Sequence, residues 1–256
     1  MNDTIVVNNN DGVVTLTINR PKALNAINHD VMSGLNEWFS KGYQEIDGLK
    51  GVIITGSGDK AFVAGADIKQ FTEISEEDGV KLSKYGHDTY SLIENFPKPV
   101  IAAIDGFTLG GGCELAMACH MRIATPESKF GQPEVNLGLI PGYGGTQRLP
   151  LLIGKAKAME LTLTGDMFTA DQALTWGLLN YVVPKDKLME KCSKIISKIA
   201  TKGPIAVAKA ITAINAFYTN DINGYEFEYE TFGELLIGDE CKEGVAAFIE
   251  KRKPNF

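Results

Sequence analysis

Short apolar runs bounded by glycine and proline constrain this chain more than any other feature. Gly51–Gly56 and Val100–Ile104 are too short for helices and lack polar alternation, so each reads as a buried strand. A glycine-rich connection follows each run, and helical spacing follows the connection. The first helix spans roughly Ser75 through Phe96, with an acidic start, and closes at Pro97-Lys-Pro99. The second spans Cys113 to Cys119. Met121–Ala124 and Phe130–Gln132 then read as short strands, and Leu137–Gly145 as a glycine-punctuated loop opening another helix. This recurrence of strand, loop and helix predicts an α/β layered core whose functional groups sit on the loops after the strands.

The flanks fit the same reading. Thr4–Val7 and Val13–Ile18, separated by Asn8–Gly12, predict a β-hairpin, and Asn28 is placed to cap a helix through Val31, Leu35, Trp38 and Phe39. From Lys155 onward helices dominate. Thr169 and Gln172 make a capping box, Pro204 opens an alanine-rich helix, and Tyr225–Leu236 is acidic and aromatic. Beyond Asn180–Val183 no strand of length interrupts them. The expected division is a core over residues 1–190 and a helical region over 191–256, too small for a generous core of its own.

Composition narrows the function. With 25 basic and 32 acidic residues the formal charge is −7, which argues against a broad phosphate-tracking surface and hence against nucleic acid as partner. Val100–Cys119, the most apolar stretch, is broken by Asp105, Glu114 and glycines, so no segment offers the roughly 20 apolar residues of a membrane span. The acidic, polar start has neither a signal-peptide nor a transit-peptide pattern, and a cytoplasmic location is expected. Cys113, Cys119, Cys192 and Cys241 lack metal-ligand spacing and read as reduced thiols, and His29, His87 and His120 are scattered, so no metal site is expected.

Three glycine-rich segments remain as candidates for chemistry: Ala64–Ile68, Leu109–Glu114 and Ile140–Gly145. None fits a phosphate-binding fingerprint. Gly110–Gly112, directly before a helix, offers backbone N–H groups at a positive helix end, suited to a developing oxyanion, and Ala64–Ala66 offers a second small-residue backbone. For one such segment a tight packing turn is the plainer explanation; two together favour function. Glu114 and Glu134 taken singly read as ordinary first-turn acids. As a pair emerging from apolar, glycine-lined loops they can hold unlike proton affinities, one giving a proton while the other takes one. That combination suits adding water across a double bond conjugated to a carbonyl, or removing it.

At this point the chain resembles the enoyl-CoA hydratase (crotonase) family. The resemblance runs over nearly the whole chain, through Asn19-Arg-Pro-Lys-Ala-Leu-Asn-Ala26, Ala61-Phe-Val-Ala-Gly-Ala-Asp-Ile68, Leu109-Gly-Gly-Gly-Cys-Glu-Leu-Ala116, Phe130-Gly-Gln-Pro-Glu134, Gly138-Leu-Ile-Pro-Gly-Tyr-Gly-Gly-Thr-Gln-Arg-Leu149 and Ala247-Phe-Ile-Glu-Lys-Arg-Lys253. It implies an α/β spiral of strand-strand-helix units with a helical C-terminal trimerisation region, the trimers usually paired into hexamers. It also implies reversible hydration of short-chain trans-2-enoyl-CoA to 3-hydroxyacyl-CoA. The backbone of Ala66 and Gly111 matches the family's oxyanion hole. Glu114 matches the glutamate that helps activate water, Glu134 the proton donor to the α-carbon, and Gly142 a glycine that positions the water.

By the same resemblance coenzyme A, carried as part of the substrate with no separate cofactor, lies along Lys22, Ala23 and Leu24 and along Ala64, Asp67 and Ile68. Phe232 and Lys251 match positions that reach the coenzyme from a neighbouring subunit, although packing and a solvated helix end explain them equally well. Cys113, Tyr143 and Arg148 are read as structural. His120 stands where members more often carry aspartate, and a surface or loop-contact role is expected. Members that shift double bonds, decarboxylate or cleave thioesters typically lose or move one glutamate, so retaining both favours hydration over isomerisation. An RNA-binding member would need a basic helix face, and an idle acyl-CoA-holding module would need dispensable glutamates.

Overall fold

The computed structural model describes residues 3–72, 74–219 and 222–256. Strands β1 (Ile5–Asn10) and β2 (Val13–Ile18) form the hairpin, joined by Asp11 and Gly12, whose positive φ angles of 50° and 78° suit a tight two-residue turn. β1 runs three residues beyond expectation. Asn8, Asn9 and Asn10 pair with Thr15, Val14 and Val13, as an edge strand with one wet face permits. Helix α1 (His29–Ser40) begins where Asn28 accepts the Val31 N–H at 3.0 Å.

Three turns of the same unit follow. Strands β3 (Gly51–Gly56) and β4 (Ala61–Ala64) precede α2 (Glu76–Glu94), capped by Ser75. Strands β5 (Val100–Ile104) and β6 (Phe107–Leu109) precede α3 (Gly111–Ala118). Strands β7 (Met121–Ala124) and β8 (Lys129–Gly131) precede α4 (Gly145–Ile153). Helix α5 (Lys155–Thr164), β9 (Phe168–Thr169), α6 (Ala170–Thr175) with its Thr169–Gln172 capping box, and β10 (Tyr181–Val182) complete the body.

Among the described residues one sheet runs β1-β2-β3-β5-β7-β10 and the other β4-β6-β8-β9. Both strands of the hairpin belong to the large sheet, whereas in the three units that follow the first strand joins the large sheet and the second joins the small one, so the chain spirals. β4 and β6 fall inside stretches that read as loops from sequence. At four and three residues, in glycine-rich surroundings, neither carries a periodic signal.

The central strands β3 and β5 of the large sheet are buried on both faces, which explains their continuous apolar runs. Val52, Ile54, Val100, Ala102 and Ile104 face the main core with Trp38 and Phe96, while Ile53, Ile101 and Ala103 face a second cluster. Helix α7 (Leu188–Ile199) supplies Leu188, Cys192 and Ile196 to that second cluster. Position 190, the expected boundary, thus falls inside a helix packed on the sheet. The helices with open apolar surface come later: α8 (Pro204–Ala216), α9 (Gly224–Leu236) and α10 (Asp239–Ile249). No described helix is long and apolar enough to cross a membrane.

His120 is not a surface residue. Its Nδ1 accepts the Val100 N–H at 3.0 Å and its Nε2 meets the Glu94 carbonyl at 3.0 Å, and burial holds its pKa below the ordinary range. It is a neutral link between α2 and β5.

Candidate active site

The register of the small sheet assembles the site. Ala64 on β4, Leu109 on β6 and Gly131 on β8 lie side by side across three parallel strands. Two residues beyond that level stand Ala66, Gly111 and Pro133, so three successive loops deliver their backbone to one place at the strand ends. A cavity of about 400 Å³ opens there, bounded by Ala66, Gly111, Glu114, Glu134, Gly142 and an apolar wall that includes Leu82 and Leu139.

Ala66 is held by a parallel bridge to Ile27. The Ile27 N–H donates to the Gly65 carbonyl and the Asp67 N–H to the Ile27 carbonyl, which directs the N–H of Ala66 away from Ile27. Gly111 is the first residue of α3, where a backbone N–H has no acceptor within its own helix. Gly110, just before it, takes φ 48° and ψ −125°, a conformation reserved for glycine. A Cβ there would also stand 2.6 Å from Glu134 Oε1, so the missing side chain lets the second carboxyl approach.

Glu114, on the first turn of α3, is 1% exposed. Its Oε1 accepts two backbone N–H bonds, from Tyr143 at 2.8 Å and Gly145 at 2.7 Å. Burial nevertheless dominates and, with the neighbouring Glu134, pushes its pKa up to about 7. Glu134 opens the 3-10 turn Glu134–Leu137 and is pushed up to about 6, again by burial. In the orientation that satisfies both groups, the buried Gln132 amide donates to both Glu134 oxygens at 3.1 Å. Glu134 acts on Glu114, so the two values belong to the pair, and the higher falls on the more deeply buried Glu114.

Gly142 has open space where a Cβ would stand, and its carbonyl accepts the Ser83 hydroxyl at 2.6 Å. The Cys113 thiol is pushed up to about 12 by burial, so it is held as the unreactive thiol, in keeping with a packing role. Gln132, Ser83 and Tyr90, whose hydroxyl donates to the Gly111 carbonyl at 2.9 Å, were not singled out by sequence. Gln132 lies in the Phe130-Gly-Gln-Pro-Glu134 motif, yet only the fold turns it toward Glu134. Ser83 and Tyr90 come from a helix that carries no motif.

The remaining candidates lie at the mouth and beyond it. Lys22 and Ala23 sit in the exposed 3-10 turn Pro21–Ala23, and Leu24 follows in left-handed conformation with its carbonyl accepting the Ala64 N–H at 3.0 Å. A second cavity of about 300 Å³ is lined there by Lys22, Leu24, Ser57 and Lys60. Ala64 and Ile68 line the main cavity. Asp67 pairs with Arg20 at 2.9 Å, which holds its carboxyl below the usual range. Phe232 on α9 is 66% exposed and Lys251 lies in the exposed tail after α10, and neither is among the lining residues of the main cavity.

Interleaved sheets wound by strand-strand-helix turns, with paired carboxyls and small-residue loops at the strand ends, define the class of crotonase-fold proteins. The chain belongs to the enoyl-CoA hydratase/isomerase family, whose model matches residues 8–256. It is 44% identical over 255 residues to a crotonyl-CoA hydratase of Syntrophomonas wolfei subsp. wolfei, covering 99% of this chain and 98% of that one. It is 43% identical to a short-chain-enoyl-CoA hydratase of Clostridium acetobutylicum, covering 98% and 96% of the two. A crystal structure of an enoyl-CoA hydratase from Bacillus anthracis superposes with a TM-score of 0.91 at 39% identity, covering 99% of both chains.

Proposed function

We propose that this chain catalyses the reversible hydration of short-chain trans-2-enoyl-CoA to 3-hydroxyacyl-CoA. The observation that carries the reading is the convergence of two buried carboxyls and two small-residue backbones on one cavity. The N–H groups of Ala66 and Gly111 receive the thioester carbonyl oxygen and stabilise the enolate charge that forms on it. With Glu114 Oε1 held by Tyr143 and Gly145, Oε2 is the oxygen that takes a proton from water attacking the β-carbon. Glu134 gives its proton to the α-carbon, and the Gly142 N–H steadies the water. Run backward, the same groups remove water.

Protonation then decides activity. Below the first pKa of the pair both carboxyls carry protons and no base remains; above the second both are ionised and no acid remains. Between them the proton rests mainly on Glu114, so hydration draws on the smaller population with the proton on Glu134, and dehydration on the larger. The kcat/KM profile should be a bell bounded by values near 6 and 7 in the free enzyme. Bound acyl chain displaces water and raises both limbs in kcat. A pH–rate series from about pH 5 to about pH 9 checks this, and a flat profile contradicts it.

Coenzyme A runs along Lys22, Ala23, Leu24, Ala64, Asp67 and Ile68, with Phe232 and Lys251 supplied by a neighbouring subunit in a homotrimer, or in a hexamer of paired trimers, in the cytoplasm. The exposed apolar side chains of the C-terminal helices, with Phe232 at 66%, Tyr225 at 79% and Phe248 at 85%, support such an assembly. Phe232→Lys should shift the sedimenting mass toward monomer and raise KM. An assembly of unchanged mass with unchanged KM contradicts both roles of Phe232.

The reading is tested by incubating purified protein with crotonyl-CoA and identifying the product by mass. Gain of one water with 3-hydroxybutyryl-CoA as product is expected. A product of unchanged mass with a shifted double bond would make the chain an isomerase.

A further inference from the structure

We propose that Arg148 is a positioning residue for the reaction: braced by Glu94, it fixes the Tyr143 peptide so that two N–H groups hold Glu114 against the water. Arg148, on α4, is 8% exposed. Its Nε and Nη2 donate to the two Glu94 carboxylate oxygens at 3.1 and 2.8 Å, a planar fork that leaves Nη1 aimed elsewhere. That Nη1 donates to the Tyr143 carbonyl at 2.9 Å. The N–H of the same residue, with that of Gly145, is the pair that grips Glu114 Oε1. One residue therefore carries the guanidinium's pull at its carbonyl and the carboxylate's at its N–H.

The Tyr143 side chain secures the other end of this linkage. Its ring stands edge-on to Tyr90, with centroids 5.7 Å apart, in a slot that exists because residue 86 of α2 is glycine: a Cβ there would come 2.2 Å from the ring. The loop is thus held at ring and carbonyl as well as at the N–H that meets Glu114. Glu94 also links outward, since its own carbonyl accepts the Asn215 amide of α8 at 2.7 Å and meets His120.

Charge adds to geometry. Glu114 is faced by Glu134 after β8, by Tyr90 from α2, by Tyr143 in the loop, by Cys113 on its own helix and by Arg148 from α4. Of these groups Arg148 is the cation, and it favours the ionised base. His87 of α2 lies near the guanidinium and is kept neutral by burial and by that charge.

The inference rests on Glu114 being the base, so Glu114→Gln is measured beside the Arg148 and Glu94 variants. Arg148→Met should lower kcat on crotonyl-CoA about 10-fold or more with KM changed less than about 2-fold, and move the alkaline limb of kcat/KM, the one near 7, to higher pH. Arg148→Lys should keep the limb in place and recover part of kcat, because an ammonium keeps the charge without the fork. Glu94→Gln should lower kcat several-fold with the limb unmoved. If Arg148→Met fails to fold, the Lys and Gln variants decide: lower kcat at constant KM supports the role, and wild-type kcat in both overturns it. Wild-type kcat in Arg148→Met overturns it too, as does a loss with an unmoved limb that lysine does not relieve. Retained turnover in Glu114→Gln would instead defeat the assignment of the base itself.

Discussion

Glu114→Gln and Glu134→Gln should each lower crotonyl-CoA turnover by about 10²-fold or more while acyl-CoA affinity stays within a few-fold. The substitution is close to isosteric, so geometry survives. At position 114 an amide oxygen can still accept the Tyr143 and Gly145 N–H bonds, and what disappears is the ability to take a proton. At 134 the α-carbon loses its acid. On the proposed mechanism the two carboxyls act on the same water addition, so the double variant should be little worse than the worse single one.

Stability should move the other way. A carboxyl whose folded pKa is raised to about 7 loses folding stability as pH rises through that value, since a buried charge must then be held. Glu114→Gln removes that loss, so its Tm should exceed wild type most clearly above about pH 7. Lower activity with higher Tm separates loss of chemistry from loss of fold. A Tm depressed at every pH would assign Glu114 a structural role.

The second large effect is expected at Gly112. A Cβ there would stand 2.1 Å from the Val63 carbonyl oxygen and 2.6 Å from Val63 Cβ, both parts of β4, so alanine forces α3 off the strand. Overpacking of this kind costs about 1–3 kcal/mol. The functional cost is larger, because β4 leads to Ala66 while α3 carries Gly111 and Glu114. Separating them by about 1 Å spreads the two donors and withdraws the base, a displacement that can cost on the order of 10²-fold. Gly112→Ala should therefore lose turnover out of proportion to its Tm, measured by thermal unfolding and steady-state rates together. Wild-type kcat in a folded Gly112→Ala protein would mean that this close contact does not set the distance between donors.

These two positions show what could be read from sequence and what could not. Glu114 and Glu134 stand in specific motifs, and the buried strands Gly51–Gly56 and Val100–Ile104 announce themselves by unbroken apolarity. Strands β4 and β6 do not, since three or four residues among glycines carry no period, yet their register is what aligns Ala66 with Gly111. The hairpin's polar extension was hidden for the opposite reason: an edge strand needs no apolar side chain to pair. His120 looked peripheral because its two hydrogen-bond partners come from α2 and β5. Arg148 looked structural because its role depends on Glu94, 54 positions away in the chain. Contacts made only by folding leave no local trace, and these are the contacts that hold Glu114 and Glu134 in place.

The central claim is that Glu114 and Glu134 together hydrate a conjugated thioester. Its most direct test is the loss of enoyl-thioester ultraviolet absorbance when crotonyl-CoA meets wild type, Glu114→Gln and Glu134→Gln, with acyl-CoA binding measured on all three. Rapid loss in wild type, nearly abolished in both variants at retained affinity, is the predicted result. Loss at the wild-type rate in either variant would contradict it.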